Sequence, residues 1–207
     1  MNTGLRDTYD RIAQDWHHDH TADDWWIEGT EKFSSFLPEH GSVLDVGCGA
    51  GNKARFMSDR GFRVMGIDFS EELLKIARAE ASAAEFKNIP MEDLDLIPET
   101  FDGVFAQASL LHIPRADAAN IVKKMAARIN DGGYLYLAVK ETREDKPEEG
   151  VTRENDYGYD YERFFSYFTL SELVSYMMNA GLETVWQQRN PNPSGKTVWL
   201  QIIGKKC

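Results

Sequence analysis

The sequence has few cysteines and no long apolar run, and each shortage excludes a class of protein. Its 2 cysteines, Cys48 and Cys207, cannot form a disulfide framework, and their spacing does not match a zinc site. No apolar run approaches the roughly 20 residues of a membrane span. The opening MNTGLRDTYDR lacks the apolar core of a signal peptide. We therefore expect a cytoplasmic protein with no membrane partner.

Basic residues are also scarce. The chain has 23 Lys and Arg against 34 Asp and Glu, which gives a formal net charge of −11. Nucleic-acid binding depends on clustered basic side chains, so we expect no nucleic-acid partner. The 207 residues, 42% of them apolar, are enough for one α/β domain with a sizeable core.

Glycine is concentrated in one place, the segment VLDVGCGAGN at residues 43–52. An apolar stretch reaches Asp45, and three glycines follow at alternate positions, Gly47, Gly49 and Gly51. Glycine tolerates positive φ and has no Cβ to keep a ligand away from main-chain N–H groups. The pattern predicts a strand, a nucleoside-binding turn and then a helix.

The spacing of these glycines separates the ligand classes that use such a turn. A phosphate loop needs Gly-Lys-Ser or Gly-Lys-Thr, which does not occur here. The dinucleotide fingerprint G-x-G-x-x-G needs glycine at position 52, where the chain has Asn52, so a nicotinamide site is weakened but stays open. A plain strand-to-helix connection is a further alternative.

A second acid follows at the interval expected for a ribose contact. Asp68 ends a predicted strand at residues 63–67, 21 residues after Gly47. An acid about 20 residues past the glycines can accept hydrogen bonds from two ribose hydroxyls. Phe69 would then lie beside the base. The alternative is that Asp68 caps the helix that follows.

Strands and helices alternate along the chain, which predicts a parallel sheet covered on both faces. Predicted strands are residues 42–46, 63–67, 85–89, 101–107 and 134–140. T-x-x-E from Thr169 to Glu172 predicts a capping box at a late helix. Two last strands, 183–189 and 197–204, flank a turn-rich segment at 190–196 and are expected to pair antiparallel.

The pattern D-x-G-x-G-x-G from Asp45 to Gly51, with this order of elements from Tyr9 onward, resembles the class I S-adenosylmethionine-dependent methyltransferases of the small-molecule type. The resemblance implies a three-layer Rossmann-like α/β fold with a mostly parallel seven-stranded sheet and an antiparallel last strand. It also implies S-adenosylmethionine as cofactor and in-line methyl transfer to a small molecule. One domain, 1–207, would comprise a helical cap (1–40), a cofactor core (41–140), a substrate lid (141–168) and a C-terminal helix and strand pair (169–207).

The resemblance also implies cofactor contacts. Tyr9 and Trp16 would close over the methionine part, Asp45 would face its ammonium group, and Gln107 would face the sulfonium end. Pro90 stands where relatives place an acid that contacts adenine, so this contact would fall to Met91 and Glu92. The complete expected cofactor set is Tyr9, Trp16, Asp45, Gly47, Gly49, Asp68, Phe69, Met91, Glu92 and Gln107.

The acceptor side is less defined by the sequence. His112, in SLLHIP after the fourth strand, is a candidate general base, with packing or capping as the alternative. The long segment 141–166 offers Tyr157, Tyr159, Tyr161 and Arg163, which would line a substrate pocket or form an edge of the core. No metal is required. The acceptor atom and the oligomeric state stay open, as does the alternative of a regulatory or scaffold protein that binds the cofactor without catalysis.

Overall fold

A computed structural model describes residues 3–145, 147–191 and 197–207. In these ranges six helices and nine strands alternate for most of the chain. The helices are α1 (Thr3–His20), α2 (Ile27–Ser34), α3 (Asn52–Ser58), α4 (Glu71–Glu80), α5 (Arg115–Ala127) and α6 (Leu170–Asn179). The strands are β1 (Ser42–Val46), β2 (Arg63–Asp68), β3 (Glu85–Asn88), β4 (Phe101–Gln107), β5 (Ile129–Lys140), β6 (Glu149–Glu154), β7 (Tyr161–Ser166), β8 (Leu182–Pro191) and β9 (Val198–Lys206).

Seven strands form one sheet in the order β3-β2-β1-β4-β5-β9-β8. The pairs among β1 to β5 are parallel, and β9 runs antiparallel to both β5 and β8. The predicted mostly parallel seven-stranded sheet with an antiparallel last strand is therefore confirmed. The order reverses between β1 and β4, which is where open α/β sheets bind their ligands.

Alternating side chains build a separate apolar core on each face of the sheet. Leu44 of β1 and Val104 of β4 pack with α5 and α6 on one face. Val43 and Phe105, their neighbours in sequence, pack with α2, α3 and α4 on the other. Successive strand residues point to opposite faces, so strands that are apolar at nearly every position must be covered on both sides.

The predicted capping box at the start of α6 is confirmed. The Thr169 hydroxyl accepts the Glu172 N–H at 3.3 Å, and the Glu172 carboxylate accepts the Thr169 N–H at 2.8 Å. Helix α1 extends to His20, and its last turns are polar and partly exposed.

The segment expected to be a lid contains a hairpin of β6 and β7, separate from the main sheet. The hairpin is tied to α1: the Thr8 hydroxyl donates to the Glu162 carbonyl at 3.0 Å, and Tyr159 donates to the Asp15 carboxylate at 2.6 Å. The predicted turn at 190–196 falls mostly on residues 192–196, outside the described part of the chain. Within the described ranges, we find no helix with the length and apolar character needed to cross a bilayer.

Candidate active site

Three predicted polar residues meet at one edge of the sheet. Asp45, Asp68 and Gln107 lie on the carboxyl-terminal ends of β1, β2 and β4, which are adjacent parallel strands. All three side chains are buried. The cleft beside them is lined also by Tyr9, Trp16, Gly47, Cys48, Gly49, Lys53, Phe69, Leu73, Met91, Ala108, Ser109 and His112.

The glycine turn connects β1 to α3 by a path that a side chain would block. Gly47 has φ of +73°, and a Cβ there would lie 2.4 Å from the Cβ of Ser109. Glycine at this position therefore lets the segment after β4 approach the turn closely. The N–H groups of Gly47 and Cys48 both donate to the Ile67 carbonyl, at 2.8 and 3.0 Å, which fixes the turn against β2.

Asp68 is held by the main chain and keeps acceptor capacity for a ligand. Its Oδ2 accepts the Gly49 N–H and its Oδ1 accepts the Ser70 N–H, each at 2.9 Å. A carboxylate has about four lone-pair positions, so both oxygens can accept a further hydrogen bond. Ser70 caps α4 by accepting the Leu73 N–H at 3.2 Å, so the capping alternative for Asp68 is met by another residue. Burial raises the pKa of Asp68 to about 6, although the N–H donors oppose this.

Unpartnered polar atoms are concentrated in this cleft. Asp45 Oδ2, both amide atoms of Gln107 and the Ser109 hydroxyl are buried without a hydrogen-bond partner. Such groups are costly unless a ligand or water satisfies them. Burial raises the pKa of Asp45 to about 7, while the positive charge of Lys53 opposes the shift. The arrangement fits a ligand with a cationic group near Asp45 and polar groups near Gln107.

Ala108 lies between Gln107 and Ser109 with φ of +55°, a conformation uncommon for a residue with a Cβ. Its N–H donates to the Ala138 carbonyl at 2.9 Å, which holds this strained backbone in place. Strained residues that the surroundings hold in place are concentrated at functional sites. Neither Ala108 nor Ser109 was predicted, because neither type of residue carries a signal in sequence.

The residues expected to contact adenine lie near one another. Phe69 and Met91 line both the cleft and a larger neighbouring cavity of about 480 Å³, which Glu92 also lines. Pro90 precedes the short 3₁₀ turn Met91–Leu96. Met91 and Glu92 thus lie beside the cleft, and their contact with adenine stays a prediction.

Tyr9 joins α1 to the site through a chain of hydrogen bonds. Its hydroxyl lies 2.9 Å from His112 Nε2, and His112 Nδ1 lies 2.8 Å from the Phe164 carbonyl. Because a carbonyl only accepts, Nδ1 carries the proton and Nε2 accepts from Tyr9. Arg163 Nη1 donates to the Tyr9 oxygen at 3.4 Å, and Arg163 makes two further hydrogen bonds of 2.6 Å with Glu154.

His112 is a neutral imidazole in this environment. Burial, together with the positive charges of Arg163 and Lys140, lowers its pKa to about 3, and the hydrogen bond to the Phe164 carbonyl opposes this shift. The Nε2 lone pair of His112 accepts the hydrogen bond from Tyr9 and so holds Tyr9 in place.

A third cavity, which we call the indole pocket, opens next to the cleft and has a volume of about 160 Å³. Trp25 stacks on Trp199 in its wall, with ring centroids 4.2 Å apart. The indole pocket shares Tyr9, Trp16, Lys53, Ala108 and His112 with the cleft, and its other lining residues are His20, Asp23, Trp25, Leu111, Lys140, Arg163, Phe165 and Trp199.

Of the four residues expected in a substrate pocket, the structure brings only Arg163 to the indole pocket. Tyr161 is buried and stacks on Tyr157, with centroids 5.4 Å apart, and Tyr159 is bonded to Asp15 of α1. These tyrosines pack between the hairpin and α1, and their assignment to a substrate pocket stays a prediction. Lys53 and Trp199 were not predicted at the site. Trp199 arrives through its pairing with Lys140 in the β5–β9 register, which the sequence does not reveal.

We find no metal-binding site in the part of the chain that the structure describes. No group of three or more His, Cys, Asp and Glu side chains there is arranged to hold an ion. His17 and His20 belong to the partly exposed last turns of α1, where the His20 ring stacks on Trp16 at 4.5 Å.

Comparison with known proteins gives the class. A family model described as a methyltransferase domain matches residues 16–188. The chain therefore belongs to the methyltransferase family, and its sheet order is that of the class I, S-adenosylmethionine-dependent type.

Particular relatives are similar over different shares of the chain. A ubiquinone biosynthesis O-methyltransferase of Acinetobacter baumannii is 33% identical over 176 residues, 76% of this chain and 70% of that protein. One from Idiomarina loihiensis is 38% identical over 101 residues, 46% of this chain and 41% of the relative. The chain thus spans only about half the length of several curated relatives that it matches.

Solved structures share the fold at low sequence identity. A 1,6-didemethyltoxoflavin-N1-methyltransferase of Burkholderia thailandensis, with bound 1,6-didemethyltoxoflavin and S-adenosylhomocysteine, superimposes with a TM-score of 0.78 at 20% identity. The match covers 99% of this chain and 88% of that one. An S-adenosylmethionine-bound amino pentose methyltransferase from Micromonospora echinaspora gives 0.70 at 18% identity, over 91% of this chain and 95% of that one.

Proposed function

We propose that this protein transfers the methyl group of S-adenosylmethionine to a small-molecule acceptor. The observation that carries the proposal is the group of buried, unpartnered polar atoms on Asp45, Gln107 and Ser109, beside a glycine turn at the switch point of the sheet. Membership of the methyltransferase family supports it.

We propose one orientation for the cofactor in the cleft. Asp45 would face the ammonium group, which would give its unpartnered oxygen a donor, and Gln107 would face the sulfonium end. The free lone pairs of Asp68 would accept the two ribose hydroxyls. Adenine would lie between Phe69 and Met91, where Glu92 lines the adjoining cavity, and Gly47 and Gly49 would leave room for the ligand at the turn.

The chain's residues would act by positioning and by excluding water. The cofactor supplies an electrophilic methyl group on a sulfonium, which needs a nucleophile held in line. Tyr9 packs edge-on against Phe69 and Trp16, with centroids 5.7 and 6.5 Å away, and forms an aromatic cover over the cleft. Such a cover restricts the geometry of attack, and positioning of this kind can supply much of the rate enhancement.

For His112 we favour a positioning role over a role as general base. Its pKa of about 3 makes it a weak base, and its Nε2 lone pair is occupied by Tyr9. His112 would then set the orientation of Tyr9 over the donor site.

The acceptor class is broad among similar proteins, since their names include O- and N1-methyltransferases and an amino pentose methyltransferase. The names of these relatives therefore do not identify the acceptor atom, and the lining of the pocket has to be considered instead.

For this chain we propose a single domain with the hairpin of β6 and β7 as part of a lid. We also propose no nucleic-acid or membrane partner, consistent with a net charge of −11. Two free cysteines suit a reducing compartment such as the cytoplasm.

Calorimetry with S-adenosylmethionine and S-adenosylhomocysteine tests the proposal. We expect saturable binding of both by the wild type. Asp68→Asn should weaken it tenfold or more, since hydrogen bonds to a charged group contribute about 1.5–3 kcal/mol. Asp131→Asn is the matched control, because Asp131 lies near the start of strand β5, away from the cleft, and its side chain is 94% exposed. If neither ligand binds the wild type, the proposed function is wrong; if Asp68→Asn binds normally, only the ribose assignment is.

A further inference from the structure

Three cationic side chains, Lys53, Lys140 and Arg163, line the indole pocket of this strongly acidic chain. Two of its cations lie on one aromatic ring: Lys140 Nζ is 4.2 Å and Arg163 Cζ is 5.1 Å from the centroid of Phe165. Asp23 lines the pocket and Glu154 pairs with Arg163, so cations outnumber these two acids around the pocket although the whole chain carries −11.

The charged groups around the indole pocket act on one another. Burial lowers the pKa of Lys53, and the negative charges of Asp45 and Asp23 oppose this shift. Arg163 is bonded through Nε and Nη2 to Glu154 and turns its third nitrogen, Nη1, towards the Tyr9 hydroxyl. Titratable or charged residues that line the pocket are Tyr9, His20, Asp23, Lys53, His112, Lys140 and Arg163.

The pKa of His112 reflects the positive charges nearby. Both Arg163 and Lys140 lower its pKa, in the same direction as burial. A group that gains negative charge would be stabilised at this position for the same reason.

Neither Tyr9 nor His112 offers an available base. His112 donates its Nδ1–H to the Phe164 carbonyl and accepts the Tyr9 hydroxyl hydrogen bond on Nε2, so neither nitrogen is open to an acceptor. Tyr9, whose pKa burial raises, is a proton donor in this arrangement. An acceptor that entered with its proton would have no described side chain at Tyr9 or His112 ready to remove it.

The shape restricts the acceptor to a small flat molecule. The pocket volume of about 160 Å³ is well below the 300–1,000 Å³ of sites for drug-sized ligands. The stacked indoles of Trp25 and Trp199 form one wall, and aromatic faces favour offset stacking with another ring.

We propose that the acceptor binds as a planar oxyanion, a phenolate or an enolate, whose charge Lys140 and Arg163 stabilise in the indole pocket. This rests on the proposed function, because the methyl donor must occupy the adjoining cleft. The ionised oxygen forms a bond to the methyl carbon as the bond from carbon to sulfur breaks, and the electron pair stays on sulfur. No proton has to be removed in this step. Lys140 and Arg163 are thus specificity-determining residues.

The test uses 4-nitrophenol as probe, because its ionised form absorbs visible light. The protein is first saturated with S-adenosylhomocysteine, which fills the donor site without turnover. We expect the bound probe to ionise about one pH unit lower than the free probe, a tenfold preference for the anion. The neutral methyl ether, 4-nitroanisole, should bind at least tenfold more weakly.

Substitutions assign the effect to the pocket. Lys140→Gln should remove at least half of the shift in pH, and Lys140→Arg should restore it. Lys205→Gln is the matched control. Lys205 is exposed and lies opposite Tyr134, at the other end of the β5–β9 pair from Lys140 and Trp199. The control should leave the shift unchanged.

Several outcomes would overturn the inference. These are a bound probe with an unshifted ionisation, equal binding of the neutral ether, and a Lys140→Gln variant that keeps the full shift. Failure of the probe to bind while S-adenosylhomocysteine binds would overturn the oxyanion acceptor and leave the proposed function standing. Failure of S-adenosylhomocysteine to bind would overturn both.

Discussion

The Tyr9 hydroxyl donates a hydrogen bond of 2.9 Å to Nε2 of His112 and so connects the N-terminal helix to the segment after β4. The two residues are 103 positions apart in sequence. Their rings also meet edge to face, with centroids 5.4 Å apart. The bond joins the aromatic cover of the cleft to the wall of the indole pocket.

Removal of the Tyr9 hydroxyl should cost stability. Tyr9→Phe keeps the ring and leaves the buried His112 Nε2 without its donor, for a cost of about 1–3 kcal/mol. For a chain of this size the thermal midpoint should fall by roughly 2–4 °C for each kcal/mol. Differential scanning calorimetry measures the fall, with Tyr176→Phe on α6 as the control away from the site.

A double-mutant cycle shows whether the bond itself is responsible. Tyr9→Phe and His112→Gln, measured singly and together, should show a coupling of about 0.5–3 kcal/mol. Additive effects would mean that the two residues stabilise the fold independently.

The pKa of His112 predicts a pH dependence of stability. Burial lowers the pKa from 6.5 to about 3 in the folded chain. Between these values the unfolded chain binds the extra proton, so stability from this group is present above pH 6.5 and is lost as the pH falls towards 3. The difference in unfolding free energy between wild type and His112→Gln should therefore shrink as the pH decreases from 6.5. Urea unfolding at several pH values measures it, and a difference independent of pH would contradict the assignment of a buried neutral ring.

The Asp45 carboxyl should give a pH dependence of stability of the opposite sign to that of His112. Burial raises its pKa from 3.8 to about 7, so the stability that the neutral acid preserves is lost as the pH rises from 3.8 to 7. Asp45→Asn should then stabilise the ligand-free protein at pH 8 more than at pH 5, where only part of this loss has occurred. The same variant should weaken S-adenosylmethionine binding at pH 8, because it removes the anion that faces the ammonium group.

Melting curves and calorimetry at the two pH values check both effects. Asp131→Asn serves again as the exposed control. A variant that is less stable than wild type at pH 8 would show that Asp45 has a partner that satisfies its charge in the free protein.

Much of the fold was predictable because its central strands are apolar and bounded by turn residues. The limits of β1 and β4 match the predicted ranges, and both strands are buried at nearly every position. The hairpin of β6 and β7 was not predicted as strands, because β6 is largely exposed and its sequence shows no apolar alternation. Its pairing with β7 comes from tertiary structure.

The site was predictable where a residue follows from its strand. Asp45, Asp68 and Gln107 end parallel strands, so their convergence follows from topology alone. The indole pocket depends on the β5–β9 register, which sets Trp199 opposite Lys140, and on α1 reaching the hairpin. Neither relationship has a local signal in the sequence.

The requirement for glycine at position 51 of the turn can be tested with alanine substitutions. An added Cβ has two costs, the strain of a positive φ and a steric clash, and two glycines of the chain separate them. Gly51 has φ of +83°, and a Cβ there would lie 2.9 Å from the Cβ and 3.0 Å from the Cα of Ala77 in α4. Gly132 has a similar φ of +79° with nothing within 4 Å of the added atom. Gly132→Ala should therefore cost only the left-handed conformation, about 1–2 kcal/mol.

Gly51→Ala should cost that amount and a further ~1–3 kcal/mol, because α4 must move away from the turn. Urea unfolding of both variants at pH 7 gives the comparison. Displacement of α4 would also shift Ser70, and with it the Asp68 carboxylate that the Ser70 N–H holds. We therefore expect Gly51→Ala to weaken S-adenosylhomocysteine binding, and Gly132→Ala to leave it unchanged. Equal losses of stability in the two variants would show that backbone conformation alone requires glycine at position 51.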